Sequence, residues 1–130
     1  MRIMIDTNII VSALLFSSHY MNEMLRTIVE KHKLVLSSFV IDELLAVVQR
    51  KSPQKQDAVD RFLSRFPYEM VYTPKEIVPH LFHIRDEKDY PVLYTAMLED
   101  VDILITNDKD FFDIQLERPE ILTPQQFLEK

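Results

Sequence analysis

Arg2-Ile3-Met4-Ile5 is followed without a break by Asp6-Thr7-Asn8 and then by Ile9-Ile10-Val11-Ser12-Ala13-Leu14-Leu15-Phe16. The first four residues have the length and β-branched content of a short buried strand. Asp6, Thr7 and Asn8 are all residue types that cap helix N-termini, and the apolar run from Ile9 begins a helix. A strand that passes through a cap into a helix is the first half of a βαβ unit.

The rest of the chain repeats this alternation. Ser17-Ser18-His19 interrupts the first helix, and Tyr20 to His32 resumes it, with Met21, Met24, Leu25, Ile28 and Val29 at helical spacing. Leu34–Leu36 reads as a second strand, and Ser37-Ser38 caps a helix from Phe39 to Arg50. After Ser52-Pro53 an amphipathic helix from Gln54 to Phe66 leads to a third strand, Glu69–Tyr72. The segment between Thr73-Pro74 and Val78-Pro79 is poorly specified. Arg85-Asp86-Glu87-Lys88-Asp89 is a polar loop, and Pro91 fits the first turn of a helix reaching Glu99. Val101–Thr106 is a strand, Asn107-Asp108-Lys109-Asp110 its turn, Ile121–Thr123 a last strand, and Thr123-Pro124 opens a terminal helix. Short apolar strands alternating with helices predict an α/β fold whose central sheet is mainly parallel and covered on both faces. At 130 residues, with no linker or repeat, the expected organisation is one domain over residues 1–130. Glycine is absent, so left-handed positions are expected at Asn8, Asn22 or Asn107.

Composition excludes several function classes. With no glycine there is no Walker phosphate loop, no G-x-G-x-x-G dinucleotide turn and no G-x-S-x-G nucleophile elbow. With no cysteine there is no disulfide framework, thiolate zinc site or cysteine nucleophile. The net charge of −6 is the wrong sign for a duplex binder that works by counterion release. Carboxylates that hold divalent cations invert that field, however, so nucleic acid remains an available substrate. No secretory leader is evident, and the longest apolar stretch falls well short of the roughly 20 residues that span a bilayer. A cytoplasmic protein with no membrane partner is the expectation.

In an open α/β sheet, ligands bind beyond the carboxyl ends of the strands. Asp6 ends the first strand. Asp108 lies two residues past the end of the Val101–Thr106 strand. Asp89 begins the helix that feeds that strand, and Glu43 lies early in the helix that follows the second strand. Four carboxylates from four segments are thus expected at one edge. Each also has a plain reading: Asp6 and Asp89 as helix caps, Asp108 as a turn residue, Asp110 as a solvated charge. Glu43 is flanked on the helical wheel by Phe39, Val40, Ala46 and Val47, where a carboxylate is costly unless paired or coordinated, and Arg50 is the alternative partner. Taken together, converging carboxylates either raise one another's pKa or recruit a cation. Mg²⁺ or Mn²⁺ suits such a set and supports hydrolysis of a phosphodiester. Arg50, Lys51, Lys55, Arg61 and Arg65 form the most basic stretch, either a track for a phosphate backbone or a solvated helix face. Tyr90 either stacks a base or packs.

Met4-Ile5-Asp6-Thr7-Asn8-Ile9-Ile10-Val11-Ser12-Ala13-Leu14 resembles the opening motif of the PIN domain (PilT N-terminus) nucleases. Ser37 to Leu44 is similar to their second motif, Arg85 to Pro91 with Ala96 to their third, and Ile103 to Phe111 to their fourth. Leu122 to Leu128 resembles the ending of the toxin–antitoxin (VapC-like) branch. One departure is Asn107, where the family commonly has glycine. The resemblance implies a three-layer α/β/α sandwich. It implies Asp6, Glu43, Asp89 and Asp108 as catalytic, metal-binding acids, Asp110 as an auxiliary ligand, and Asn8 and Thr106 as residues that orient ligands or water behind them. It also implies Mg²⁺- or Mn²⁺-dependent cleavage of single-stranded RNA, an antitoxin partner and a homodimer. Two other readings of the same residues are an aspartate-based phosphoryl-transfer domain and a PIN-fold binding or dimerisation module without catalysis. The first includes haloacid-dehalogenase-like phosphatases, which require a second Asp where Asn8 stands.

Overall fold

The computed structural model describes residues 1–16 and 18–130. Five strands form one sheet in the order β3-β2-β1-β4-β5, with every neighbouring pair parallel: β1 (Arg2–Ile5), β2 (Lys33–Ser37), β3 (Glu69–Val71), β4 (Ile103–Ile105) and β5 (Glu120–Leu122). The helices are α1 (Thr7–Leu14), α2 (His19–Lys31), α3 (Ser38–Lys51), α4 (Gln56–Arg65), α5 (Tyr90–Leu98) and α6 (Pro124–Leu128), with 3₁₀ turns at Pro53–Lys55, Glu87–Asp89 and Lys109–Asp113.

Strand side chains alternate between faces. Ile3, Met4 and Ile5 of β1 are nevertheless all fully buried, as are Leu34, Val35 and Leu36 of β2 and Ile103, Leu104 and Ile105 of β4, with at most a trace of exposure. Both faces of the three central strands are therefore covered, which is the sandwich that continuous apolar strands require. The register carries Met4 opposite Val35 on one side and Leu104 on the other. β1, the stretch read first, is the axis of the molecule.

The chain crosses leftward from β1 to β2 to β3, then returns to the other side of β1 for β4 and β5. The reversal falls between β1 and β4, and their carboxyl ends open the crevice that such a switch point creates.

Local signals account for most element ends. Asp6, Ser18, Ser37 and Thr123 each cap a helix through a side-chain oxygen, and Thr123 closes a reciprocal box with Gln126. Ser17, part of the expected break, lies outside the described residues; the Ser18 cap marks the restart. Left-handed backbone is not where it was expected. Asn8 and Asn22 lie inside α1 and α2, and among the described residues only His80 (φ 65°) and Asp100 (φ 50°) have positive φ. Asp100 follows the end of α5, its amide bonding to Met97 O at 3.1 Å while the amide of Val101 reaches Ala96 O at 3.2 Å. This is the Schellman arrangement, in which an Asp stands in the position usually taken by glycine.

Candidate metal centre

Asp6 leaves β1 at the switch point and is 5% exposed. Its Oδ1 accepts from the amide of Ile9 at 3.2 Å, and its Oδ2 accepts from the hydroxyl of Thr106, which ends β4. The Thr106 hydroxyl also accepts from the amide of Asp108 at 3.0 Å, and Asp108 Oδ1 accepts from the amide of Asp110, also at 3.0 Å. One fully buried hydroxyl thus joins the first strand's acid to the turn after β4. Burial pushes the Asp6 carboxyl up to about 6 against the pull of its hydrogen bonds to Thr106 and Ile9, and Asp108 and Glu43 add repulsion.

Asp89 reaches the same point from the third motif. It precedes α5 but makes no side-chain capping bond; Asp86, three residues earlier, caps the 3₁₀ turn with a bond from the amide of Lys88. The plain reading of Asp89 as a helix cap therefore fails. Its Oδ2 is buried with no hydrogen-bond partner, and the side chain facing it is the carboxylate of Asp108. Two acceptors can bond only through a shared proton. Burial, and then Asp108, push the Asp89 carboxyl up to about 8. An orphaned carboxylate oxygen aimed at other carboxylates is what a cation site looks like when only its protein groups are drawn. Oxygens of Asp89, Asp108 and Asp110 lie within 4.8 Å of one another. That spacing fits oxygen ligands around one hard divalent ion.

Glu43 enters from α3. Its Oε1 accepts from the hydroxyl of Thr7 at 2.6 Å. Arg50, the partner the sequence offered, forms no ion pair with it among the described residues. Arg50 lies seven residues further along α3, about 10 Å down the axis toward the opposite edge of the sheet. Glu43 is half-buried; Val40 beside it is buried, but Ala46 is exposed, so the surroundings are less apolar than the helical wheel suggests. Glu43 and Asp6 both lie outside the tight trio of Asp89, Asp108 and Asp110, although Asp108 and Glu43 are each close enough to raise Asp6. Asn8 is exposed on α1 and bonds to none of the acids.

The cations are elsewhere. At the opposite edge, Arg2 binds Glu69 at 2.9 Å, and Arg118 binds Asp102 at 2.8 Å and Asp100 at 3.0 Å. At the crevice, among the described residues, Asp6, Glu43, Asp89 and Asp108 have no Lys or Arg partner. Arg85 alone comes near, its Nε donating to Asp110 Oδ1 at 3.0 Å. The basic stretch from Arg50 begins at the far end of α3, not beside the acids. Tyr90 packs, its ring 4.2 Å from that of Phe82 and its hydroxyl donating to Val78 O at 2.7 Å.

Sequence reading missed Thr7 and Arg85. Thr7 was read only as a cap, although a hydroxyl beside a strand-end acid is a plain candidate for holding a second acid. Arg85 pairs with a residue 25 positions away, which no local pattern encodes.

Thr106 offers a direct test. Thr106→Val keeps the shape, strands Asp6 Oδ2 without a donor and frees the Asp108 amide. Loss of such an orienting partner typically costs 10–100-fold in metal affinity or activity. We expect Mn²⁺ affinity by calorimetry to fall in that range, with Thr106→Ser close to wild type.

A family profile described as PIN domain matches residues 2–110. Among solved structures, VapBC2 from Rickettsia felis bound to a DNA fragment from its promoter aligns with a TM-score of 0.70 at 25% identity, covering 94% of this chain and 97% of that one. VapBC-1 from nontypeable Haemophilus influenzae aligns at 0.62 and 17% identity, covering 96% and 99%. The PIN domain endonuclease Utp24 aligns at 0.53 and 20%, covering 85% and 74%. No curated protein matches the chain.

Proposed function

Because the chain belongs to the PIN domain family, we propose that it is a Mg²⁺- or Mn²⁺-dependent endoribonuclease of single-stranded RNA, acting as the toxin of a toxin–antitoxin pair. The observation that carries the proposal is the orphaned, buried Oδ2 of Asp89 facing Asp108 in a crevice where three further acids gather. Asp6, Asp89 and Asp108 would hold the ion, with Glu43 and Asp110 completing the acidic wall. A bound divalent cation would polarise a phosphoryl oxygen and acidify a water for in-line attack.

The remaining work falls to the chain. The Thr106 hydroxyl fixes which oxygen of Asp6 faces the crevice. Thr7 holds Glu43 from the side of α1, and its Oε2, without a donor among the described residues, would orient a water. Asn8, exposed at the start of α1, is placed to meet solvent or substrate at the rim. The VapBC relatives support an antitoxin partner, since both were solved as VapBC assemblies. No described helix is long and apolar enough to cross a membrane.

The purified protein should cleave single-stranded RNA in Mn²⁺ and stop in excess chelator. Equal cleavage with chelator present would refute the proposal. A phosphoryl-transfer enzyme would instead accumulate an acid-stable phosphate on Asp6.

A further inference from the structure

Beside the carboxylates, the irregular segment between β3 and α5 borders an open-sided cavity of about 510 Å³ lined in part by Ile77, Pro79, Phe82, Ile84, Arg85 and Tyr90. Although the segment has no regular structure, it is tightly held. The Tyr90 hydroxyl donates to Val78 O at 2.7 Å and accepts from the Leu81 amide at 3.1 Å, and the Tyr94 hydroxyl accepts from the Val78 amide at 3.3 Å. The three rings of Tyr94, Tyr90 and Phe82 stack in sequence, with centroids 5.9 and 4.2 Å apart and planes within 21° and 14°. Tyr94 is buried. The stack ends at Phe82, which is half-buried and forms a wall of the cavity.

Arg85 belongs to both places. It lines the cavity, and its Nε donates to Asp110 at the edge of the acidic trio. The Arg85 side chain is 87% exposed, and neither terminal nitrogen has a protein partner among the described residues. Asp110, 11% exposed, aims the group without covering it. A planar donor fork fixed beside a metal site and open to solvent matches a phosphate, and an aromatic face one step further matches a base.

We propose that this cavity is a nucleobase subsite of the RNA substrate, in which a base next to the scissile phosphate stacks on Phe82 while the connecting phosphate is held by Arg85. The inference rests on the nuclease reading for its substrate class. It assigns Asp110 chiefly to positioning Arg85, with one oxygen left for the ion.

Binding of a short single-stranded oligoribonucleotide, read by fluorescence anisotropy with Ca²⁺ in place of Mn²⁺, tests the subsite apart from cleavage. Phe82→Leu keeps the bulk and removes the π-face. It should weaken binding about tenfold, the scale of one lost base–aromatic stack. An abasic residue scanned along the oligonucleotide should cost the wild type a similar factor at one position and cost Phe82→Leu nothing more there. Arg85→Ala should weaken binding by a similar factor and reduce the salt dependence by about one phosphate contact, with Mn²⁺ affinity by calorimetry unchanged or tighter. A wild type indifferent to the abasic residue at every position, or a Phe82→Leu protein still sensitive to it, overturns the subsite. Unchanged RNA affinity in both variants also overturns it and leaves the cavity to a protein segment. RNA bound as expected but not cleaved in Mn²⁺ would sink the nuclease reading alone.

Discussion

We expect Asp108→Asn to abolish the proposed RNA cleavage, with a loss of about 10³-fold or more, while leaving the fold intact. Asp108 is where three features of the site meet. Its carboxylate faces the orphaned Oδ2 of Asp89, its backbone amide donates to Thr106, and its Oδ1 accepts from the amide of Asp110. An asparagine retains the shape and accepts the same backbone bond, but it brings an uncharged oxygen to the ion and offers Asp89 a donor. Removing a single group that stabilises developing charge commonly costs 10²–10³-fold, and loss of a ligand affects metal affinity as well. Asp6→Asn is expected to be as severe, for a different reason: Asp6 is both the most buried acid of the set and the one tied to β4 through Thr106. Circular dichroism checks folding, and single-turnover cleavage in Mn²⁺ checks the chemistry. Cleavage by Asp108→Asn within tenfold of wild type would remove that residue from the centre.

The second large effect is on stability. The carboxyls of Asp6 and Asp89 are raised to about 6 and about 8, both mainly by burial, whereas an unfolded Asp titrates near its ordinary value of about 4. Between those limits the folded, metal-free protein binds more protons than the unfolded chain. Linkage then requires stability to be greatest below about pH 4 as far as these two groups go, and to fall as pH rises through about 6 and again through about 8. Asp89→Asn removes the cost of ionising the second group. The metal-free variant should therefore melt several degrees above wild type at pH 8 and close to it at pH 4, since each kcal/mol moves Tm by roughly 2–8 °C in a chain of this size. Mn²⁺ competes with the same protons, so it should raise the wild-type Tm more at pH 8 than at pH 5 and raise that of Asp89→Asn least. Equal melting of wild type and Asp89→Asn at pH 8 without metal would show that the acids are not crowded.

Both expectations describe a site that lowers stability until it is filled. The same sheet shows the contrast at its other edge, where Glu69, Asp100 and Asp102 each have an arginine. Acids left without cations at the switch point, on a protein that supplies arginines elsewhere, indicate a role that an arginine would block.

How much of this was legible in the chain depends on the range of each interaction. β1, its Asp6 cap and the strand–helix alternation are carried by neighbouring residues, so they read directly from the order of apolar and capping types. Convergence of Asp6, Asp89 and Asp108 was legible because parallel strands force their carboxyl ends to one edge whatever the packing. Details that depend on packing were not. The proximity of Asp110 to Asp89, the Arg85 pair and the Thr7–Glu43 bond all cross between elements, and periodicity says nothing about them. The basic stretch from Arg50 was open between a phosphate track and a solvated helix face, and its start at the far end of α3 favours the solvated face. The left-handed positions among the described residues fell to His80 and Asp100 rather than to an asparagine, the second where the end of α5 closes in a Schellman turn. Tyr90 was ambiguous because its hydroxyl bonds to Val78 and Leu81 join it to a segment that no local pattern specifies.

The most direct test of the account is anomalous scattering from crystals grown with Mn²⁺ and a non-cleavable oligoribonucleotide. The account predicts a manganese peak in contact with carboxylate oxygens of Asp6, Asp89 and Asp108, lost in Asp108→Asn crystals. A difference map with RNA bound and no manganese among those acids would contradict it.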